Sequence, residues 1–135
     1  MNDGFSRTEN AQRLIKWAVK AQILTFSNVT KRNFKEREVW LTAVGHGVGS
    51  EIYGKKDDFQ RPVLVLKKFS NTRFLGIPLT SNQFYSGNLK VPTNFAGING
   101  SAMLDQANSY DKQRLLKKMG MLDKPSFEII RRNFA

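Results

Sequence analysis

Pro62-Val63-Leu64-Val65-Leu66 and, after a short polar interval, Phe74-Leu75-Gly76-Ile77-Pro78-Leu79 decide how this chain reads. Each is a brief apolar run rich in branched side chains, too short for a globular helix and closed off by polar residues, which is the pattern of a strand. Arg61 stands at the entrance of the first. Pro62 is expected at that strand's first position, where a missing N–H costs no interior ladder bond. The second run ends on Thr80-Ser81. Upstream, Val39-Trp40-Leu41-Thr42-Ala43-Val44 is β-branched and aromatic and stops at Gly45, which gives a third strand. Weaker strands are expected around 88–92 and 101–107. Residues 111–119 read as a helix stopped by Gly120 as a left-handed cap, and 125–134 as a last short helix with Phe127 and Ile130 turned inward.

The first third has another period. Ser6-Arg7-Thr8-Glu9 matches a capping box, in which hydroxyl and carboxylate satisfy free N–H groups at a helix start. Leu14, Ile15, Ala18 and Val19 then form an apolar stripe at helical spacing, with Arg13, Lys16 and Lys20 mostly off it, and the pattern predicts a helix over 7–25. Trp17 lies off the centre of the stripe, as a packing edge or a ligand platform. Residues 27–37 are polar and basic and read as a connector. Short strands in succession followed by short helices imply an α+β, mostly β domain, a small barrel or sheet; a doubly wound fold would alternate strands with helices.

The length of 135 residues suits a single domain over 1–135, and 40% hydrophobic and 11% aromatic residues supply a core. Twenty-two Lys and Arg against 11 Asp and Glu leave a formal charge of +11, which points to a polyanionic partner: nucleic acid first, an acidic protein segment second. No Cys is present, which excludes a disulfide scaffold, a thiol nucleophile and Cys-ligated metal, and the single His46 excludes multi-His centres. No metal and no cofactor are expected. With no apolar run long enough for a membrane span and no signal-like N-terminus, a cytoplasmic protein is expected.

Three local features carry chemistry. Gly45-His46-Gly47-Val48-Gly49-Ser50-Glu51 is rich in glycine, but it runs on through Tyr53 into Lys55-Lys56-Asp57-Asp58 rather than opening a helix, so a loop between strands is expected and not a nucleotide cradle. His46 is either a solvated loop residue or a proton donor, being the one side chain whose unshifted pKa lies near neutrality. Arg61 is either a strand-flanking surface charge or a guanidinium held on a rigid strand end, where its planar fork can take a phosphate bidentately. Phe69, Phe74, Phe84 and Tyr85 could stack unpaired bases or fill the core.

Taken in order, Glu38-Val39-Trp40, Gly49-Ser50-Glu51, Arg61-Pro62-Val63-Leu64-Val65-Leu66 and Ile77-Pro78-Leu79-Thr80-Ser81 resemble the MazF/PemK family of toxins from bacterial toxin–antitoxin systems. Gly100-Ser101-Ala102-Met103-Leu104-Asp105-Gln106 and Asp111-Lys112-Gln113-Arg114-Leu115 look like that family's later strand and helix. The resemblance covers about 36–132 and leaves 1–33 as an N-terminal helical extension. It implies a compact SH3-like barrel of the CcdB/MazF type, here with an extra N-terminal helix and short C-terminal helices, that forms a homodimer. It also implies a metal-independent, sequence-selective endoribonuclease acting on single-stranded RNA and leaving a 2′,3′-cyclic phosphate and a 5′ hydroxyl, and a cognate antitoxin whose acidic segment fits the basic groove. Its catalytic Arg and Thr fall on Arg61 and Thr80, its loop Glu on Glu51 and its groove Gln on Gln106. Ser50, Ser81, Lys55 and Lys56 are further expected RNA-binding residues. The sequence departs from the family in residues 1–33, in a longer charged loop from Glu51 to Arg61, and in Ala107-Asn108, where an aliphatic–basic pair is usual.

In such a reaction the 2′ hydroxyl attacks the adjacent phosphorus. Arg61 suits charge neutralisation on the phosphorane, Thr80 can donate to a phosphate oxygen, Glu51 is the candidate base and His46 a candidate acid. Two readings of other classes stand beside it: a non-catalytic nucleic-acid-binding relative, and a topoisomerase inhibitor like the similarly folded CcdB toxins. The extension covers a barrel face, or lids the RNA groove, or docks the antitoxin.

Overall fold

Val63, Leu64, Val65 and Leu66 are all buried, because their strand has a neighbour on each side and a packed cluster on each face. The computed structural model describes residues 7–26, 33–45, 60–82 and 89–134. They form α1 (Arg7–Phe26), β1 (Glu38–Ala43), β2 (Gln60–Lys68), β3 (Arg73–Thr80), β4 (Lys90–Phe95), β5 (Ile98–Met103), β6 (Asn108–Asp111), β7 (Leu115–Met121) and α2 (Lys124–Phe134), with 3₁₀ turns at Leu104–Gln106 and Lys112–Arg114. The class is α+β and mostly β. One antiparallel sheet runs β4-β5-β3-β2-β1-β7, and β6 pairs with β3.

Alternation along β2 divides the core. Leu64 and Leu66 face one way with Val39, Ile77, Leu79, Ala102, Phe127 and Ile130, so α2 covers that side. Val63 and Val65 face the other way with Phe34, Trp40, Phe74, Tyr110 and Leu115. A strand buried on both faces loses the polar/apolar alternation of a half-exposed one, hence the unbroken Val-Leu-Val-Leu. Each fully buried aliphatic side chain contributes about 1.5–3 kcal/mol. Phe34 lies in the stretch expected as a plain connector, yet it is fully buried, with its ring 5.1 Å from that of Phe74.

The expected barrel does not close: β4 and β7 end the strand path without hydrogen bonding to each other. Pro92, within β4, lacks a donor, as suits an edge strand, and Gly120 breaks the regularity of β7 with φ +149°. The two ends meet through side chains instead, the Phe95 ring lying 3.3 Å from where a Cβ on Gly120 would stand.

The expected helix at 111–119 is incorrect. Residues Lys112–Arg114 make a 3₁₀ turn, with Asp111 Oδ1 accepting from Gln113 N–H at 2.9 Å, and Leu115–Met121 form a strand along β1. Gly120 is therefore inside a strand rather than a helix cap, and one C-terminal helix stands where two were expected. Pairing overrides the helical bias of Leu-Leu-Lys-Lys-Met because β1 would otherwise present an open edge. Glu38 fastens the pair. Its buried carboxylate accepts from Lys35 N–H at 2.7 Å and Trp40 Nε1 at 3.0 Å, and Lys118 Nζ of β7 stands 2.7 Å away. Burial works to raise its pKa, but the bonds from Lys118, Trp40 and Lys35 outweigh it and hold the group below its ordinary value.

Smaller boundaries also move. β2 begins at Gln60, so Pro62 is its third residue, one position before the β2–β3 register starts at Val63↔Pro78. The late strands run 90–95 and 98–103, and 104–106 is a 3₁₀ turn. α2 is capped by Asp123, whose Oδ2 accepts from Ser126 N–H at 3.0 Å. The N-terminal helix is present, but Leu14, Ile15, Ala18 and Val19 face solvent, whereas Arg13 is buried and Trp17 half-buried. What Trp17 meets is a glycine and a guanidinium, Gly45 and Arg114, which suits a flat aromatic ring and not an aliphatic stripe. Ser6 of the expected capping box lies outside the described residues. Among the described residues no helix is long and apolar enough to cross a membrane.

Candidate active site

Arg61 and Thr80 stand on neighbouring strands. β1 places Thr42 opposite Arg61, and β5 places Ser101 opposite Thr80. Continuing the β2–β3 register two residues beyond Val63↔Pro78 brings Arg61 opposite Thr80. Thr42, Arg61, Thr80 and Ser101 thus make one row across four strands, and strand side chains spaced in this way share a face. Arg61, the second residue of β2, is 4% exposed and therefore not a surface charge.

The two threonine hydroxyls in the row are each oriented by a local bond. Thr80 Oγ1 accepts from Asn82 N–H at 3.0 Å, which leaves its own O–H to donate to a ligand. Thr42 Oγ1 donates to the Trp40 carbonyl at 2.9 Å. β5 can lie against Thr80 because position 100 is glycine; a Cβ there would run into the Thr80 carbonyl oxygen.

A second cation lies close by. The Arg114 guanidinium donates from Nη1 to the Ala43 carbonyl at 3.0 Å and lies 5.1 Å from the Trp17 ring centroid. Tyr110 is near enough to both Arg61 and Arg114 to feel their charge; burial pushes its pKa up to about 12, and the two arginines oppose that rise. Tyr110 is therefore protonated at neutral pH, a donor and not a base. Burial draws the Arg114 pKa down while Tyr110 and Asp111 oppose it. The site face thus carries two guanidinium groups and hydroxyl donors, a set that suits an anion with several oxygens. Trp17 has Gly45 against its ring edge and Arg114 over its face, which is the packing-edge reading.

Gln60, Arg61, Pro62, Leu79, Thr80, Ser81, Thr93, Phe95, Ile98, Gly100 and Met119 line a recess of about 220 Å³. That is below the ~300–1,000 Å³ of sites that enclose a whole small molecule; it has room for one group of a larger ligand. Among the described residues no cluster of three His, Cys, Asp or Glu could hold a metal ion.

Of the residues expected from sequence, the structure brings together Arg61, Thr80 and Ser81, all on the recess wall. Gln106 sits on the 3₁₀ turn after β5 and does not line that wall. His46, Ser50, Glu51, Lys55 and Lys56 lie outside the described residues; the connector that carries them leaves β1 and enters β2 where Ala43 and Gln60 pair, one step from the row. Sequence reading missed Tyr110 and Gly100. The signal for Gly100 was a glycine inside a strand, which marks close backbone approach; Tyr110 immediately precedes the Asp111–Arg114 motif, which was misread as helical.

A seven-stranded antiparallel sheet backed by a C-terminal helix, with an arginine–threonine row at its strand ends, defines a small basic α+β protein. Residues 35–135 match the family described as PemK-like, MazF-like toxin of type II toxin–antitoxin system, and the chain belongs to that family. The fold is similar to the crystal structure of MazF (Form-I) from Deinococcus radiodurans, at TM-score 0.57 and 18% identity over 77% of this chain and 94% of that one. It is also similar to the Mycobacterium tuberculosis toxin MazF-mt6, at TM-score 0.51 and 17% identity over 73% of this chain and 91% of that one. A search of curated proteins returns no match. Type II membership gives the chain an antitoxin partner.

Proposed function

We propose that this toxin is an endoribonuclease that cleaves single-stranded RNA without a metal ion. The observation that carries the reading is that Arg61 and Thr80, on neighbouring strands, line one recess. The 2′ oxygen attacks the adjacent phosphorus as Glu51 takes its proton. Arg61 neutralises the charge that develops on the phosphorane oxygens, and Thr80 donates to one of them. The P–O5′ bond breaks, His46 protonates the leaving oxygen, and the products are a 2′,3′-cyclic phosphate and a 5′ hydroxyl. Arg61 itself does not move the proton, since a guanidinium stays charged throughout the pH range in which the protein is folded. Ser50, Ser81, Gln106, Lys55 and Lys56 hold the flanking nucleotides. The net charge of +11 supports a polyanionic substrate and an acidic antitoxin segment that competes for the same groove. The active unit in this proposal is a single 1–135 domain acting as a cytoplasmic homodimer.

The test is incubation of the purified protein with a long unstructured RNA in EDTA, followed by mapping of the cut ends. Discrete cuts ending in cyclic phosphate, reduced by about 10²-fold or more in Arg61→Ala, are expected from loss of one electrostatic stabiliser. Arg61→Lys recovers little, because a point charge does not replace a bidentate fork. Intact RNA that shifts on a gel would make the protein a binding module, and intact unbound RNA would favour the topoisomerase-directed reading.

A further inference from the structure

α1 lies outside residues 35–135, which the family description matches, and it touches the sheet at the site end. Its contact is specific. A Cβ on Gly45 would stand 2.7 Å from Trp17 Cε2, so this ring seats only over glycine, and the φ of +91° at Gly45 requires glycine as well. The other partner of Trp17 is Arg114, 5.1 Å from the ring centroid, and Arg114 in turn holds the Ala43 carbonyl at 3.0 Å. Trp17 and Arg114 therefore grip Ala43 and Gly45, the last described residues before the connector that carries His46 and Glu51. The gripped strand end pairs Thr42 with Arg61 and Ala43 with Gln60.

We infer that α1 is a built-in clamp on the catalytic strand end, and that Trp17 is a positioning residue acting through Arg114 and Gly45 on Arg61. The inference rests on the ribonuclease reading for its effect on rate. Its physical content, a β1 exit made rigid by α1, does not depend on that reading. The ring touches no reacting atom. Its effect comes from the chain Trp17, Arg114, Ala43, Thr42, Arg61, in which the links are a cation–ring contact, a hydrogen bond, a peptide bond and a register pair. Reaction rates are sensitive to such links, since a displacement of about 1 Å at the reacting groups costs on the order of 10²-fold.

The experiment compares full-length Trp17→Ala, Trp17→Leu and Trp17→Phe with the parent chain. It measures single-turnover cleavage of an RNA oligonucleotide, affinity for the same oligonucleotide with its 2′ hydroxyls methylated, and amide hydrogen exchange over residues 38–45. Trp17→Ala is expected to slow cleavage by about 10- to 100-fold while affinity stays within about twofold. Exchange at the β1 exit should rise at least about tenfold, as local opening becomes easier. Trp17→Phe keeps a flat ring under Arg114 and is expected to restore both rate and protection. Trp17→Leu fills similar space without a ring face for the cation, and is expected to restore neither. If Trp17→Ala does not fold, the Leu/Phe contrast decides. Equal rates and equal exchange in Leu and Phe overturn the inference, as does a Trp17→Ala protein with parental rate and exchange. A parent chain that cuts no RNA, paired with raised exchange in Trp17→Ala and Trp17→Leu, refutes the ribonuclease reading and leaves the clamp standing.

Discussion

Gly100→Ala tests whether β5 presses directly on the site. The added Cβ would meet the Thr80 carbonyl oxygen and lie 3.3 Å from the Ser81 Cα, both backbone atoms that cannot rotate away. Relief requires β5 and the end of β3 to part by on the order of 1 Å, and overpacking of this kind costs about 1–3 kcal/mol. For a chain of 135 residues the unfolding entropy is about 0.28 kcal/mol/K, so a loss of about 2 kcal/mol lowers Tm by about 7 °C. The same displacement changes the placement of Thr80 relative to Arg61 and should slow RNA cleavage by about 10²-fold. Differential scanning calorimetry and single-turnover cleavage at a temperature well below both midpoints separate the two effects. Asn99→Ala is the control: its side chain makes one exposed bond to Asn94 at 2.7 Å, and its loss should cost no more than about 0.5 kcal/mol with cleavage unchanged. A Gly100→Ala protein with parental Tm and parental rate would refute the close contact. A lowered Tm with parental rate would remove Thr80 from the reacting centre.

Thr80→Val keeps the shape and removes the hydroxyl. Cleavage should fall about 10- to 100-fold for loss of a donor to the transition state, RNA affinity should hold, and Tm should drop slightly as the Asn82 N–H loses its acceptor, worth about 0.5–1.5 kcal/mol. Glu38 makes stability depend on acid. Its carboxyl is depressed in the folded chain relative to about 4.5 unfolded, so the native state binds fewer protons; its contribution is full above that value and is lost as pH falls through the lower folded pKa. Tm measured from pH 7 down to 3 should fall more steeply in the parent than in Glu38→Gln, and parallel curves would remove Glu38 from the balance. Ile130→Ala empties a fully buried position between α2 and the sheet. It should cost about 2–5 kcal/mol in urea unfolding at unchanged slope.

The central strands were legible because burial on both faces leaves a plain signature: Val63–Leu66 has no polar residue to confuse the period. The stretch from Leu115 to Met121 was not legible. Leucine, lysine and methionine favour helices on their own, and what makes them a strand is the open edge of β1 and the Glu38 carboxylate waiting for Lys118. Local sequence contains neither. The stripe on α1 misled for a related reason: hydrophobic spacing says which side of a helix is apolar, not whether an apolar surface stands opposite. Here Gly45 and Arg114 stand opposite, and Trp17 takes the contact. At the site, the family pattern marks Arg61 and Thr80, whereas Tyr110 reaches it only through the β6 pairing that sets it beside Phe74. Gln106 shows the converse, a motif residue whose turn stands off the recess wall.

The row Thr42, Arg61, Thr80, Ser101 draws one residue from each of four strands, and its last member is forty residues downstream of Arg61. Pairings this distant in sequence form late, after the local structure around them. A growing polypeptide therefore exposes its arginine and threonine well before β5 arrives to seat them. On the ribonuclease reading, a nascent chain cannot complete this row, and so cannot cut the messenger it is being read from, until β5 has been made.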